Sequence, residues 1–551
     1  MADTPGAQTG ASGGTAPSTA AKSDTEQLHE LGYAQELKRG MGAFSNFAVS
    51  FTIISILSGC LTLFGYGMVE GGPASSAYGW PLVGILVTFV ALAMAEICSS
   101  YPTAGGLYYW SAKVAPKNGP VWSWFTGWFN LLGQVAVTAG IDFGFAAFFC
   151  AFLNIAFDVQ VTKLILVGTY TGILIIHALM NTFGIRLVAL LNDVSVWWHV
   201  AGVLVIFAIL FAVPDKHTSF STIFSFSTEP KGPGEVAGFI NGSGFTDGFF
   251  GSKLYIFLIG LLLAQYTLTG YDASAHMTEE THAADTSGPN GIWRSVVVSV
   301  IFGWILLLGV WYAVQGEQGY SNALSFQLAT ANVAAPAQIF LDAVGKTWTI
   351  FMLLIVLGAQ FFCGMSSVTA NSRMIYAFSR DGAIPGHRLW HKINKRTRTP
   401  TNSIWFAAVG AWILVAPAYW LGSAVAYYAV TSIAVIGLYI AYVLPTFLRL
   451  RAGDSFTPGR WNLGGASKLI GWIAVIWVVF ICIILMMPQY SPGGLGITFW
   501  NAFNFAPLAV LAVIGFAGIY WVASARKWFK GPVVQGSPEE LAAIEKDLES
   551  V

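Results

Sequence analysis

Long charge-poor apolar stretches alternate with short polar connections along the whole chain, and that alternation sets its class. An α-helix needs roughly 20 apolar residues to cross about 30 Å of hydrocarbon, and about twelve stretches reach that length. They run near residues 42–70, 80–101, 120–150, 164–182, 188–213, 253–280, 292–315, 347–377, 402–420, 424–448, 468–488 and 502–525. The pattern predicts an all-α polytopic membrane protein. Residues 1–30 are rich in Gly, Ala, Ser, Thr and Pro and lack an apolar core, which reads as a disordered tail rather than a signal peptide. Residues 214–252 form a long connection rich in Gly, Ser and Phe, expected to pack over the outer face. Its sequon, Asn241-Gly242-Ser243, is a triplet that arises often by chance. In the other tail, residues 531–551, Ser537-Pro538-Glu539-Glu540 reads as the capped start of a short polar helix.

Composition narrows the class further. The 551 residues are 55% hydrophobic and 10% charged, against roughly 25% charged in a soluble domain. Lys+Arg and Asp+Glu are equal at 27 each, so no net charge points to nucleic acid. The distribution of positive charge is more telling than its sum. Only Lys163, Lys216, Lys231, Lys253 and Lys346 fall on one side of the predicted spans. Every other Lys and Arg lies on the opposite side, including Lys113, Lys117, the run Arg388 to Arg398, Arg449, Arg451, Arg460 and Lys468. Positive excess marks the cytoplasmic side, which places both termini inside and requires an even number of spans. The five cysteines, Cys60, Cys98, Cys150, Cys363 and Cys482, sit in apolar runs without ligand spacing. His387 and His391 share an i, i+4 spacing but lack a third ligand, so neither metal nor cofactor is expected.

Two spans depart from the aliphatic pattern. The first contains Ser55-Ile56-Leu57-Ser58-Gly59-Cys60, then Gly65, Gly67, Gly71, Gly72 and Pro73; the sixth contains Thr267-Leu268-Thr269-Gly270-Tyr271-Asp272. Backbone at mid-membrane leaves the helix only where it lines a cavity or is buried in protein. Unwinding there exposes amides at one half-helix end and carbonyls at the other, a pair that suits a zwitterion. Small residues that let helices pack closely are the alternative. The separation of five spans favours a site between two inverted repeats.

The residues Leu31-Gly32-Tyr33, Glu36 to Arg39, Phe51 to Pro73, Ala95-Glu96-Ile97, Pro102 to Tyr109, Asn181 to Gly184, Asn192 to His199, Gly270 to Glu280 and Ser366 to Pro385 together resemble the amino acid, polyamine and organocation transporter superfamily, in its amino acid and choline branch, with a likeness to 4-aminobutyrate (GABA) permeases. The resemblance runs in order from about residue 31 to 525. It implies the leucine-transporter fold, with a ten-helix core over 31–450 built as inverted repeats 42–213 and 253–448, and two peripheral helices in 451–530. It implies alternating access, with a substrate carboxylate on amides around Ser58, Gly59 and Cys60, and an amine facing carbonyls near Ser55, Ile56, Thr267 and Thr269, beside Gly270. It also implies a cell-membrane carrier of amino acids or small amines. Choline, a polyamine or another organic cation is the alternative cargo, and a channel or sensor the alternative class. The chain has no HExxH, no GxSxG followed by a plausible triad and no paired catalytic carboxylates flanked by polar sequence that would argue for an enzyme.

Ionisable groups inside spans are functional candidates. Glu96 near the inner end of the second span reads equally as structural or gating. Asp142 in the third either biases the site toward cations or packs on a hydroxyl or water. Asp272 caps or ties the inner half of the sixth, and Arg373 in the eighth reads as an ion-pair partner. His199 falls where many relatives carry Lys, about seven residues after Asn192. It is expected either to couple conformation to protonation, helped by Ser366 or Ser367, or to be a neutral core histidine. Ser366 and Ser367 lie where some members of this fold hold Na⁺, but no nearby carboxylate strengthens a cation site. Expected partners are the substrate and membrane lipid, with protons as the candidate coupling ion.

Overall fold

The computed structural model describes residues 23–183, 185–224, 253–329, 333–421, 423–487 and 504–549. The sequon and most of the connection 214–252 lie outside the described residues. Among the described residues, 10 helices are long and apolar enough to cross a membrane, beginning with Ala43–Thr62, Ser75–Ser100, Gly119–Phe157, Lys163–Phe183 and Leu187–Ala212. They continue with Ala284–Tyr312, Ala335–Arg380, Tyr427–Ser455, Gly464–Met486 and Ala506–Ala523. Two shorter apolar helices, Leu254–Thr267 and Thr401–Val415, occupy the sixth and ninth expected positions. The order matches the hydropathy pattern throughout, so the spans keep their ordinal numbers below.

The third span is the axis of the molecule. Its 39 residues rise roughly 58 Å at about 1.5 Å per residue, longer than a bilayer's hydrocarbon. It packs along the eighth and tenth spans. Glycines permit this: a Cβ on Gly133 would lie 2.7 Å from Leu438, and one on Gly127 2.3 Å from Phe378. At the periphery, Leu469 and Ile476 of the eleventh span and Leu511 and Ile519 of the twelfth are 66, 65, 63 and 71% exposed. A lipid-facing surface explains that exposure, which water would penalise.

The eighth helix is interrupted at Gly345 (φ 73°, ψ 175°), so the membrane-crossing part begins after it. Before it, Gly316–Ala329 forms a helix that the hydropathy pattern does not announce, because its polar residues break the apolar run. Tyr320 of that helix donates to the Met68 carbonyl at 2.7 Å, tying it to the end of the first span.

The first and last described segments meet on one face. Residues 24–30, assigned by sequence to a disordered tail, form a helix with a Ser23–Glu26 capping box, because Ser-x-x-Glu satisfies its first amides. The polar helix Pro538–Glu549 starts as expected, with Ser537 and Glu540 bonded reciprocally. The two ends interlock: His29 Nε2 lies 2.8 Å from Glu545, and Gln535 bonds both Gly32 (2.9 Å) and Ala34 (2.7 Å). Beneath them Asp381, the residue after the eighth span, accepts from Tyr33 (3.0 Å), Tyr108 (2.7 Å) and the Val533 amide (3.2 Å).

Burial pushes the Asp381 carboxyl up to about 6, although Arg380 and its hydrogen bonds oppose the rise. The folded protein therefore holds this proton more tightly than the unfolded chain. Its contribution to stability is complete below the unfolded value near 4 and declines as pH rises through about 6. Thermal unfolding in detergent from about pH 7 to 5 is expected to show a stability gain on acidification that Asp381→Asn loses.

Candidate functional site

Both expected helix breaks are present, and they touch. The first span winds as Ala43–Ile54, turns at Ser55 with φ 36°, and resumes as Ile56–Thr62. A left-handed non-glycine residue is strained and persists only where its surroundings hold it. Here the Ser55 hydroxyl bonds His199 Nε2 at 2.7 Å, and its carbonyl accepts from the amides of Ser58 (2.8 Å) and Gly59 (2.9 Å). In this conformation the amide donors at the start of the resumed helix are consequently those of Ile56 and Leu57. The sixth span ends its first half at Thr267, passes through Gly270 at φ 91°, and resumes as Ala273–His276.

Glycine is required where the two breaks meet. A Cβ on Gly59 would come 2.6 Å from Thr267 Oγ1, and one on Gly270 2.3 Å from Ile53 Cγ2. The Cys363 thiol of the eighth span donates to the Ile53 carbonyl at 3.2 Å, just before the turn at Ser55. Thr269 turns its hydroxyl back onto the Tyr266 carbonyl at 2.6 Å. The structure thus gathers Ser55, Ile56, Ser58, Gly59, Cys60, Thr267, Thr269 and Gly270 at one buried centre. Three buried side chains of the sixth and eighth spans were not singled out from sequence: Gln265, Tyr266 and Gln360. They carry buried polar atoms without a hydrogen-bond partner among the described residues, and such atoms require a polar ligand or water.

The ionisable candidates separate into different roles. Glu96 lies off the centre, bonded to Arg449 (3.1 Å), Ser467 (2.5 Å) and the Leu463 amide (3.3 Å), and ties the second span to the tenth and eleventh. Asp142 is turned to an imidazole, His177 of the fourth span, at 2.9 Å, with both side chains fully buried. Gly364 makes room for the pair, since a Cβ there would lie 2.2 Å from the Asp142 carboxylate. Asp142 therefore presents an Asp–His pair rather than a lone carboxylate. Asp272 accepts from Gln134 (2.7 Å) and Tyr442 (2.7 Å), joining the sixth span to the third and tenth.

His199 is fully hydrogen-bonded as a neutral ring. Nδ1 lies 2.8 Å from the Ser195 carbonyl, which can only accept, so it donates there and leaves Nε2 to accept from Ser55. Ser366 and Ser367 face elsewhere. Ser366 bonds Asn192 and the Phe362 carbonyl (2.9 Å), and Ser367 bonds Thr138 at 2.9 Å.

On the face that carries the termini the centre is closed off. Arg373 and Glu280 form a two-pronged pair at 2.7 and 3.3 Å, and Arg380 holds Glu279 at 3.0 Å. The amides of Gly40 and Met41 both donate to the Glu280 carbonyl, locking the start of the first span onto the end of the sixth. Alongside lies a cavity of about 590 Å³ between Met41, Leu187, Asn192, Met277 and Thr369, rimmed by Arg396.

A helical membrane bundle whose two discontinuous spans meet at a buried polar centre is the architecture of a solute carrier. A sequence profile of the amino acid permease family matches residues 41–516, and the chain belongs to that family. It is 43% identical over 526 residues to the amino-acid permease BAT1 of Arabidopsis thaliana, covering 92% of this chain and 96% of the relative. A rice homologue of that permease (Oryza sativa subsp. japonica) is 41% identical, covering 92% and 95%. The GABA-specific permease of Saccharomyces cerevisiae is 31% identical, covering 95% of this chain and 88% of its own length. The protein is thus a membrane permease and not an enzyme.

Proposed function

We propose that this permease carries a zwitterionic amino acid or 4-aminobutyrate across the cell membrane by alternating access, with both termini cytoplasmic. The observation that carries the reading is the meeting of the two helix breaks at Gly59 and Thr267, where only glycine fits. Amides at the start of the Ile56–Thr62 segment would receive the carboxylate, and carbonyls at the ends of the outer sixth span and inner first span would receive the amine. Gln265, Tyr266 and Gln360 would bond the substrate's remaining polar groups. The corresponding position of the breaks fits inverted repeats over 42–213 and 253–448. The cavity beside Asn192 and Met277 would be the inner mouth of the path, shut by Arg373–Glu280 and Arg380–Glu279.

The S. cerevisiae relative's named specificity supports 4-aminobutyrate as one candidate. Choline is disfavoured because it offers no carboxylate for the amides of the first span. A thermal-shift screen of the purified protein against amino acids, 4-aminobutyrate, choline and polyamines tests the assignment, because a ligand that prefers the native state raises its apparent stability. Stabilisation by zwitterions alone is expected. Stabilisation by choline or polyamines alone would contradict it.

His199 in this reading positions Ser55 and stays neutral through the cycle. His199→Gln is expected to weaken substrate affinity roughly tenfold, the loss of about one hydrogen bond to a strained turn, while the pH profile of uptake keeps its wild-type shape. Uptake measured from about pH 5 to 8 checks this, and a flattened profile would return His199 to the coupling role.

A further inference from the structure

Six residues past Gly270 of the sixth-span break, a second buried histidine faces a carboxylate in a way that requires a proton. His276 Nδ1 lies 2.8 Å from the Ala104 carbonyl, so that nitrogen carries a hydrogen. Its Nε2 stands 3.3 Å from Asp272 Oδ2, with both side chains fully buried. A neutral ring would aim its Nε2 lone pair at an ionised carboxylate oxygen. One further proton, on Nε2 or on Oδ2, turns that repulsion into a hydrogen bond. Among the described residues, the groups around the pair supply no alternative charge. Asp272 otherwise accepts from Gln134 and from Tyr442, whose ring packs on Tyr271. The first span brings Asn46 and Ser50, the eighth brings Arg373 turned to Glu280, and the seventh brings Asp285 turned to Arg460. Glu279, which accepts from the Ala104 amide, is held by Arg380.

We propose that the Asp272–His276 pair binds the proton that moves with the substrate. The proposal rests on the reading of the adjacent break as the substrate site. Asn130 of the third span supplies the other half of the device, since its amide lies 3.4 Å from Nε2 and donates to the neutral ring. Protonation thus links His276 to the carboxylate on its own span, and deprotonation links it to the third span, which is fixed to the eighth through Thr138 and Asn371. Moving the proton changes how firmly the inner half of the sixth span is tied to that scaffold.

The test uses proteoliposomes of the full chain with a radiolabelled mixture of amino acids and 4-aminobutyrate. Wild-type protein is expected to show counterflow, and accumulation driven by an outside-acid gradient. His276→Gln is expected to lose accumulation at least about tenfold while retaining counterflow within about threefold, because exchange needs no net proton movement. Accumulation in His276→Gln equal to wild type, or wild-type accumulation indifferent to the gradient, overturns the proposal. Absent wild-type counterflow would instead overturn the transport reading. Asn130→Leu keeps the proposal testable if His276→Gln does not fold. Removing the neutral ring's donor is expected to shift the pH of half-maximal uptake upward by about half a unit or more, and an unshifted profile counts against the pair.

Discussion

Gly59→Leu and Gly270→Leu should each reach the membrane and bind substrate roughly a hundredfold more weakly than wild type, or not measurably, since over-packing a filled site costs about 1–3 kcal/mol and each 1.4 kcal/mol is tenfold. At Gly59 the added side chain begins 2.6 Å from Thr267 and would drive the first and sixth spans apart where they meet. At Gly270 it begins 2.3 Å from Ile53, on a backbone at φ 91° that L side chains rarely adopt. Insertion should survive, because each change makes its span more apolar, not less. Equilibrium binding to purified variants that elute as single species checks both. Wild-type affinity in either would remove the broken helices from the binding site.

Arg373→Met should destabilise the fold more than any change on the lipid face. Arg373 is fully buried and its only carboxylate among the described residues is Glu280, so removing it strands a buried negative charge at a cost of about 3–5 kcal/mol. Glu280→Leu strands the guanidinium with a similar loss. The double variant Glu280→Leu/Arg373→Met should recover most of the stability, because two apolar groups leave no unpaired charge. The temperature at which half the protein remains monodisperse in detergent orders the three. A double variant no better than the worse single would show that the pair does more than neutralise itself. Transport in the double variant should nevertheless be leaky or slow, since the pair helps close the face that carries the termini.

The membrane spans were legible because hydropathy over about 20 residues is a local property. The breaks were legible too, since Ser55 to Cys60 and Thr267 to Gly270 put small and hydroxyl residues where aliphatics are the rule. What sequence could not supply was helix rotation. Asp142 and His177 sit on different spans, and nothing in either stretch says that the two side chains face each other across Gly364. The same holds for Ser367 with Thr138 and for Glu96 with Arg449, whose partners were set by packing. His199 stands out in the sequence, but the groups that bond it, Ser55 and Ser195, depend on the turn the first span takes. Asp272 and His276 stand four residues apart, a spacing that was readable. The break beside it hides from sequence whether the segment is helical.

Counterflow in proteoliposomes tests the central claim most directly. Protein loaded on the inside with an unlabelled amino acid mixture containing 4-aminobutyrate should transiently concentrate the same labelled compounds from outside, saturably. The matched experiment with choline should give no concentration, because choline carries no carboxylate for the amides of the first span. Choline counterflow with inert zwitterions would contradict the account.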